Sequence, residues 1–411
     1  MEKIEIMSPA GTFESLNAAI KAGADSVYFG VDELNMRARS ANFTLKDLPE
    51  IVKICKKNNI KTYLTVNTVI YDSDFPLMKK ILDEAKNSGI TAIIASDIAV
   101  MQYCKKLNLR VHSSTQLNIS NIEAVKFYAQ FVDVVVLARE LTLSQIENIC
   151  KEIKKQNILG PSGDLIQVEL FCHGALCVSI SGKCYMSLAV YNSSANRGAC
   201  LQNCRRTYRV IDEETGDELK IDNKHVMSPK DLCTIKFLDQ LIKAGVTIFK
   251  IEGRARPPEY VYTVAKVYKE AVNTINNNQF TEEKINSWLK QLETVYNRGF
   301  WHGGYYLGAK LGEWAGIYGS KATKEKEFVG TVKNYFVKNK VAEIYINTGK
   351  IKVNDTLLIT GPTTGLLEMN LKNIVKDNKT IKQAKKLDTI TIEVPERVRI
   401  KDKVYLWRDR K

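Results

Sequence analysis

Short apolar runs rich in β-branched residues recur between Ile4 and Ile251, separated by stretches whose apolar positions fall every three or four residues. The runs Ile4 to Met7, Ser26 to Val31, Thr62 to Val66, Ala92 to Ser96, Val111 to Ser113, Val132 to Leu137, Val168 to Phe171 and Thr247 to Ile251 read as buried strands. Amphipathic stretches lie between most of them: Phe13 to Ala22, Leu48 to Asn58, Phe75 to Asn87, Ile122 to Phe131 and Leu143 to Lys155. Eight strands in a β-α rhythm predict a (β/α)8 TIM-like barrel over residues 1–256, irregular where a cysteine-rich loop interrupts it. A doubly wound open sheet is the alternative. The first strand is followed by no dinucleotide-binding glycine fingerprint, which weighs against that sheet.

The pattern then changes twice. Pro258 to Leu292 reads as helical and Asn297 to Tyr306 as a glycine and aromatic connection, which makes 257–326 a helical segment and linker. Beyond Lys326 the runs are short: Phe328 to Val332, Ala342 to Ile346, Thr356 to Ile359, Ile390 to Val394 and Lys403 to Trp407. Turn residues such as Gly349, Asn354-Asp355 and Gly361-Pro362 separate several of them, so 327–411 is predicted to form a small C-terminal β-barrel domain.

Charge adds a partner to this layout. The chain carries a formal +14, and from Phe328 to Lys411 there are 18 Lys plus Arg against 9 Asp plus Glu. A basic module on a less basic body suggests a polyanion such as RNA, and a surface that is lysine-rich throughout is the plainer alternative. No run of about 18 apolar residues occurs, and Met1-Glu2-Lys3-Ile4 leads into a strand rather than a signal peptide. The expectation is a cytoplasmic protein with no membrane partner. In that reducing compartment a cysteine cluster reads as metal-binding or catalytic before it reads as disulfides.

Five of the nine cysteines, Cys177, Cys184, Cys200, Cys204 and Cys233, fall within 57 residues. The first four are separated by six, fifteen and three residues, with Gly174, Gly182 and Gly198 between or beside them to let the backbone turn. Four convergent thiolates suit an iron–sulfur cluster or zinc. Zinc sites usually draw on two closely spaced cysteine pairs, and only Cys200 and Cys204 approach one, so the cluster is favoured. Cys233, read as lying at a helix start, is a fifth candidate for four places. Cys55, Cys104 and Cys150 fall in helices as core residues, and Cys172 closes a strand beside His173.

In a parallel barrel the reactive groups sit where strands end. Ser8, Asn67, Asp97, Ser114-Thr115-Gln116, Arg139-Glu140, His173 and Glu252-Gly253-Arg254 all close apolar runs, and together they outline a polar pocket. Each alone reads as readily as a helix cap or loop residue. His173, Glu252 and Glu169 are the acid–base candidates. Arg37, Arg139 and Arg254, with Arg39 nearby, offer forks for carboxylate or phosphate, and Asn67 and Gln116 complete the substrate-binding candidates. The alternative pairs Arg139 with Glu140 and Arg254 with Glu252. The chain contains no His-Glu-x-x-His, no Gly-x-Ser-x-Gly elbow and no phosphate-binding glycine loop ending in Lys-Ser/Thr.

The run Phe171 to Cys184, continued by Asn196-Arg197-Gly198-Ala199-Cys200-Leu201-Gln202-Asn203-Cys204-Arg205, resembles the signature of the U32 peptidase family. Ser8-Pro9-Ala10-Gly11, the segment Gly23 to Gly30, Asn35-Met36-Arg37-Ala38 and Lys250-Ile251-Glu252-Gly253-Arg254 extend the match, which covers the whole chain. Despite the family's name, its better understood members are hydroxylation proteins that carry a [4Fe-4S] cluster. The resemblance is closest to the prephenate-dependent tRNA uridine hydroxylases; others act on a cytidine of ribosomal RNA or in ubiquinone synthesis. It implies Cys177, Cys184, Cys200 and Cys204 as cluster ligands, with Cys233 as the alternative fourth, because some relatives recruit a later cysteine. It also implies prephenate as co-substrate, tRNA as partner and, for members that act in pairs, a paralogous family member. Peptidase activity, the family's historical label, is the competing expectation.

Overall fold

The computed structural model describes residues 3–180, 182–219, 227–303, 305–308 and 313–410. Ser181 of the cysteine loop and His225 lie outside them. All eight apolar runs between Ile4 and Ile251 are strands: β1 (Glu5–Pro9), β2 (Ser26–Phe29), β3 (Lys61–Val66), β4 (Ala92–Ala95), β5 (Arg110–Ser113), β6 (Val134–Val136), β7 (Gln167–Gly174) and β8 (Ile248–Ile251). They pair in parallel in that order, and β8 pairs with both β7 and β1, which closes the barrel. The open-sheet alternative is thereby excluded.

Alternation along each strand sorts the side chains. Ile6, Val27, Phe29, Leu64, Ile93 and Phe249 join the large core under the helices, whereas Met7, Tyr28, Tyr63, Ile94, Val134 and Ile248 form a separate cluster. The two sets alternate in sequence, so the second faces the barrel axis. Barrel interiors are usually filled by branched apolar residues. This one also buries Glu5, His112, Glu169 and Lys250.

Helices α1 (Phe13–Lys21), α2 (Leu48–Lys57), α3 (Phe75–Ser88), α5 (Ile122–Tyr128) and α6 (Leu143–Lys155) fall where periodicity places them. A further helix, α4 (Ile98–Lys106), connects β4 to β5. Asp97 starts it by accepting a hydrogen bond from Ala99 N at 2.9 Å, and Val100, Met101 and Cys104 form its buried stripe. Cys55, Cys104 and Cys150 are buried in α2, α4 and α6 as expected.

Between β7 and β8 the single helix of a regular barrel is replaced by the cysteine loop with helix α7 (Met186–Tyr191), a short strand Asp231–Cys233 and helix α8 (Leu238–Lys243). Cys233 therefore ends a strand rather than starting a helix. The long β7 supplies the reason: its last residues offer an edge on which Asp231–Cys233 pairs antiparallel, Cys233 opposite His173, while Phe300–His302 pairs on the far side. Cys172 is likewise interior to β7, its thiol donating to Lys250 O at 3.4 Å.

Helices α9 (Pro258–Asn276) and α10 (Glu282–Thr294) lead to an antiparallel eight-stranded sheet with a core of its own around Val329, Ile344, Ile359 and Ile392. Its first strand begins at Lys324, before the apolar run that announces it. This sheet docks on α1: Leu358, Leu366 and Trp407 pack with Ala18, Asn17 donates to Pro362 O at 2.6 Å, and Lys21 pairs with Glu396 at 2.6 Å. A Cβ on Gly365 would lie 2.8 Å from the Asn17 backbone, so this approach requires glycine. Among the described residues no helix is long and apolar enough to cross a membrane.

Candidate active site at the barrel mouth

The strand ends and the loops after them converge on a small chamber of about 50 Å³ at the top of the barrel. Arg37, Asn67, Gln116, Arg139, Glu252 and Arg254 all line it, so the substrate-binding candidates share one place. Their partners are not sequence neighbours. Arg254 donates to Thr65 Oγ1 and to Asn35 Oδ1, both at 2.8 Å, and burial followed by repulsion from Arg37 brings it down to about 10. Gly30 makes room for it: a Cβ there would lie 2.4 Å from the guanidinium. Arg37 donates to Glu252 Oε1 at 2.8 Å. The guanidinium of Arg139 lies over the Phe171 ring at 4.1 Å, and its Nε is buried without a partner. Neither the Arg139–Glu140 nor the Arg254–Glu252 pairing is formed. Asn67 accepts from Met36 N at 3.2 Å and donates to Ser114 Oγ at 3.1 Å, and Ser114 in turn donates to Gln116.

Glu252 is an anion locked in place. Burial alone would raise its pKa, but Arg37, Arg139 and Arg254 outweigh burial and hold it at about 2. At neutral pH it carries no proton to give, and it positions Arg37 instead. Sequence reading passed over Lys250, although it shares its strand face with Ile248 and Glu252 and so must face inward. Its Nζ lies in the chamber wall, 2.9 Å from Glu169 and 4.7 Å from the centre of the Tyr28 ring. Glu169 sits one layer below, fully buried, and is bonded on its other side to His112 at 3.1 Å. Burial would raise its pKa, yet Lys250 and His112 bring it below its ordinary value. Glu169 thus reaches the chamber only through Lys250.

Above the chamber opens a wider cavity of about 670 Å³, and Cys177, Cys184, Cys200 and Cys204 all line it. The four are unbridged, with Cys177 and Cys200 exposed. Close backbone approaches fasten their loop to the mouth. A Cβ on Gly198 would lie 2.2 Å from Asn35 O, and one on Gly182 2.5 Å from the Gln116 side chain; both glycines have positive φ. Cys184 N donates to Asn196 Oδ1 at 3.2 Å, and buried Arg205 donates to Pro229 O at 2.9 Å and to Leu176 O next to Cys177. Burial pushes the Cys204 thiol up; Arg205 opposes this, and Cys177, Cys200 and Cys184 add to it, so the four sulfurs are electrostatic neighbours. As donors they suit an iron–sulfur cluster. In the present side-chain positions no three His, Cys, Asp or Glu groups among the described residues close into a metal sphere.

Two candidates lie elsewhere. Cys233 is fully buried, its Sγ 4.0 Å from the Tyr268 hydroxyl, and lines neither cavity. His173 packs among Tyr260, Tyr268 and Phe300, and burial pushes it down to about 3. It is a neutral packing residue away from the mouth. Asp97 is a helix cap, and Ser8 is buried and lines neither cavity. Arg205, Arg206, Arg256 and Arg298, which no strand-end rule singles out, join Arg37, Arg39 and Arg139 around the wide cavity: seven arginines, with Glu252 the one carboxylate in its lining.

The chain matches peptidase family U32 over residues 11–316. It is 54% identical over 407 residues to a protein of Porphyromonas gingivalis named collagenase, covering 99% of this chain and 98% of that one. It is 31% identical to tRNA hydroxylation protein P1 of Bacillus subtilis, over 81% of this chain and 78% of that one. It is also 31% identical to the 23S rRNA 5-hydroxycytidine C2501 synthase of Escherichia coli, over 76% of this chain and 46% of that one.

Proposed function

The chain belongs to peptidase family U32, and from that premise we propose that it is an RNA-modifying enzyme, one that hydroxylates the wobble uridine of tRNA to 5-hydroxyuridine in a prephenate-dependent reaction in the cytoplasm. The observation that carries this reading is the charge of the mouth: seven arginines against one carboxylate suit a dicarboxylate and a phosphodiester chain. Relatives named for hydroxylation of tRNA and rRNA support the reaction type. Cys177, Cys184, Cys200 and Cys204 would hold a [4Fe-4S] cluster, which when bound supplies one-electron redox chemistry. The chain's own residues bind and orient. Arg139, with an unpartnered buried Nε, is the arginine of the floor best placed to take a substrate carboxylate. Arg37 is held ready by Glu252, and Arg254 braces Asn35 and Thr65. A paralogous family member is a proposed partner in the same modification.

Peptidase activity is the second reading, favoured by the collagenase name of the relative at 54% identity. Against it, no histidine occurs in the lining of either cavity among the described residues, and Glu252 is held near 2. Nucleoside analysis of tRNA from a strain lacking this protein and any paralogue tests the proposal. Loss of 5-hydroxyuridine, restored by the wild-type gene, is expected. Unchanged 5-hydroxyuridine together with cleavage of gelatin by the purified protein would replace it with the peptidase reading.

A further inference from the structure

The chain has 18 tyrosines, and among the described residues only four are exposed: Tyr71, Tyr185, Tyr191 and Tyr318. One lines the wide cavity and the other three adjoin its lining, in the chain or through an arginine. Tyr318, 77% exposed, lines it, and Tyr185, 67% exposed, follows the lining residue Cys184. Arg206, itself in the lining, lies over the Tyr191 ring at 5.2 Å. Arg197 lies over the Tyr71 ring at 4.2 Å and follows the lining residue Asn196. Other exposed rings, such as Phe127, Phe328 and Phe336, lie on α5 and the C-terminal sheet, whereas these tyrosines stand by the arginine-lined cavity, a pairing that suits a ligand both anionic and aromatic. Arginines neutralise phosphates, whereas flat rings stack on unpaired bases of any sequence.

We propose that these tyrosines form a stacking platform for single-stranded RNA, on which the bases of an opened loop are splayed over Tyr185 and Tyr318 while the strand enters the cavity. The inference rests on the RNA reading above and specifies its substrate as a loop, since a base held in a duplex offers no free face. Duplex RNA engages the arginines alone.

Binding of the anaerobically purified full-length protein to a fluorescently labelled seven-nucleotide-loop hairpin, compared with a blunt duplex of the same length, tests the platform. The hairpin should bind at least about tenfold more tightly. Tyr185→Ala and Tyr318→Ala should each weaken hairpin binding about tenfold without changing its salt slope, and the Phe variants should stay near wild type. Arg206→Gln should lower the slope by about one. Equal affinity for hairpin and duplex, Ala variants that bind as wild type, or preferential capture of a collagen-like peptide would each overturn the platform. If tRNA from the deletion strain keeps its 5-hydroxyuridine while the tyrosines still govern hairpin binding, the platform stands and the uridine reaction falls.

Discussion

The floor of the barrel mouth and the cysteine loop above it both carry chemically capable groups, and they hold them in opposite ways. On the floor, Arg254, Arg37, Glu252, Asn67 and Lys250 each have a hydrogen-bond or ion-pair partner at about 3 Å, contributed by a distant strand end or loop. Over it, Cys177 and Cys200 are exposed, and glycines and backbone hydrogen bonds fix the loop rather than any contact between sulfurs. The floor is organised before any ligand arrives, at the cost of burying charge. The loop is a set of donors that, among the described residues, stay apart in their present positions. Stability and chemistry are thus separable here, and substitutions in the two regions should fail differently.

The largest effect is expected beneath the floor. Glu169→Gln leaves Lys250 as a buried, uncompensated cation, so unfolding in urea should show a loss of about 3–5 kcal/mol. Glu169→Gln together with Lys250→Met should recover most of it. A single variant as stable as wild type would show that the floor is not the charge-locked unit described.

Acid should also act on the buried side. His173 is pushed down to about 3, below its value of about 6.5 in an unfolded chain. Its contribution is complete above about pH 6.5 and is lost as pH falls toward 3, because the unfolded chain takes up the proton first. Glu252, held near 2, adds a loss in the same direction below its unfolded value of about 4.3. Stability should therefore fall by up to about 1.4 kcal/mol per pH unit between pH 6 and 5, and His173→Phe should flatten that slope. An unchanged slope would place the proton uptake elsewhere.

In the loop the expected stability effects are small. Cys177→Ala and Cys200→Ala should change the stability of cluster-free protein by less than about 0.5 kcal/mol, whereas Cys104→Ala, in the core of α4, should cost about 1–2 kcal/mol. Smallest of all, exchanging exposed Lys333, Lys338 and Lys340 of the C-terminal sheet for Gln should leave the fold untouched. It should reduce the salt dependence of tRNA binding by about 0.9 per lost phosphate contact, and an unchanged slope would make that surface merely solvated.

The barrel was legible because its signal is local. Eight β-branched runs alternate with amphipathic stretches, and each alternation records which face of a strand meets the helices. Cys104 was read as helical but the bounds of α4 were not drawn, because its stripe, Val100, Met101 and Cys104, is short and begins directly behind the polar end of β4. Cys233 was misplaced because Leu232-Cys233-Thr234-Ile235 reads equally as strand or helix, and only the free edge of β7 decides. The strand-end rule found Arg37, Asn67, Gln116, Arg139 and Arg254 together in one chamber, but it also put His173 there. It could not supply the partners, since Arg254 meets Thr65 and Asn35 across 189 and 219 residues of chain. Lys250 was within reach, two residues before Glu252 on the same strand face.

Iron and acid-labile sulfide determination on the anaerobically purified protein, with its absorption spectrum, tests most directly the claim that the loop is a cluster site above a preorganised floor. About four iron and four sulfide per chain are expected. The content should be lost in Cys177→Ala, Cys184→Ala, Cys200→Ala and Cys204→Ala and kept in Cys55→Ala and Cys233→Ala, because Cys204 shares the cavity with the other three and Cys233 does not. Stoichiometric zinc without iron, or a cluster that survives Cys204→Ala and is lost with Cys233→Ala, would contradict it.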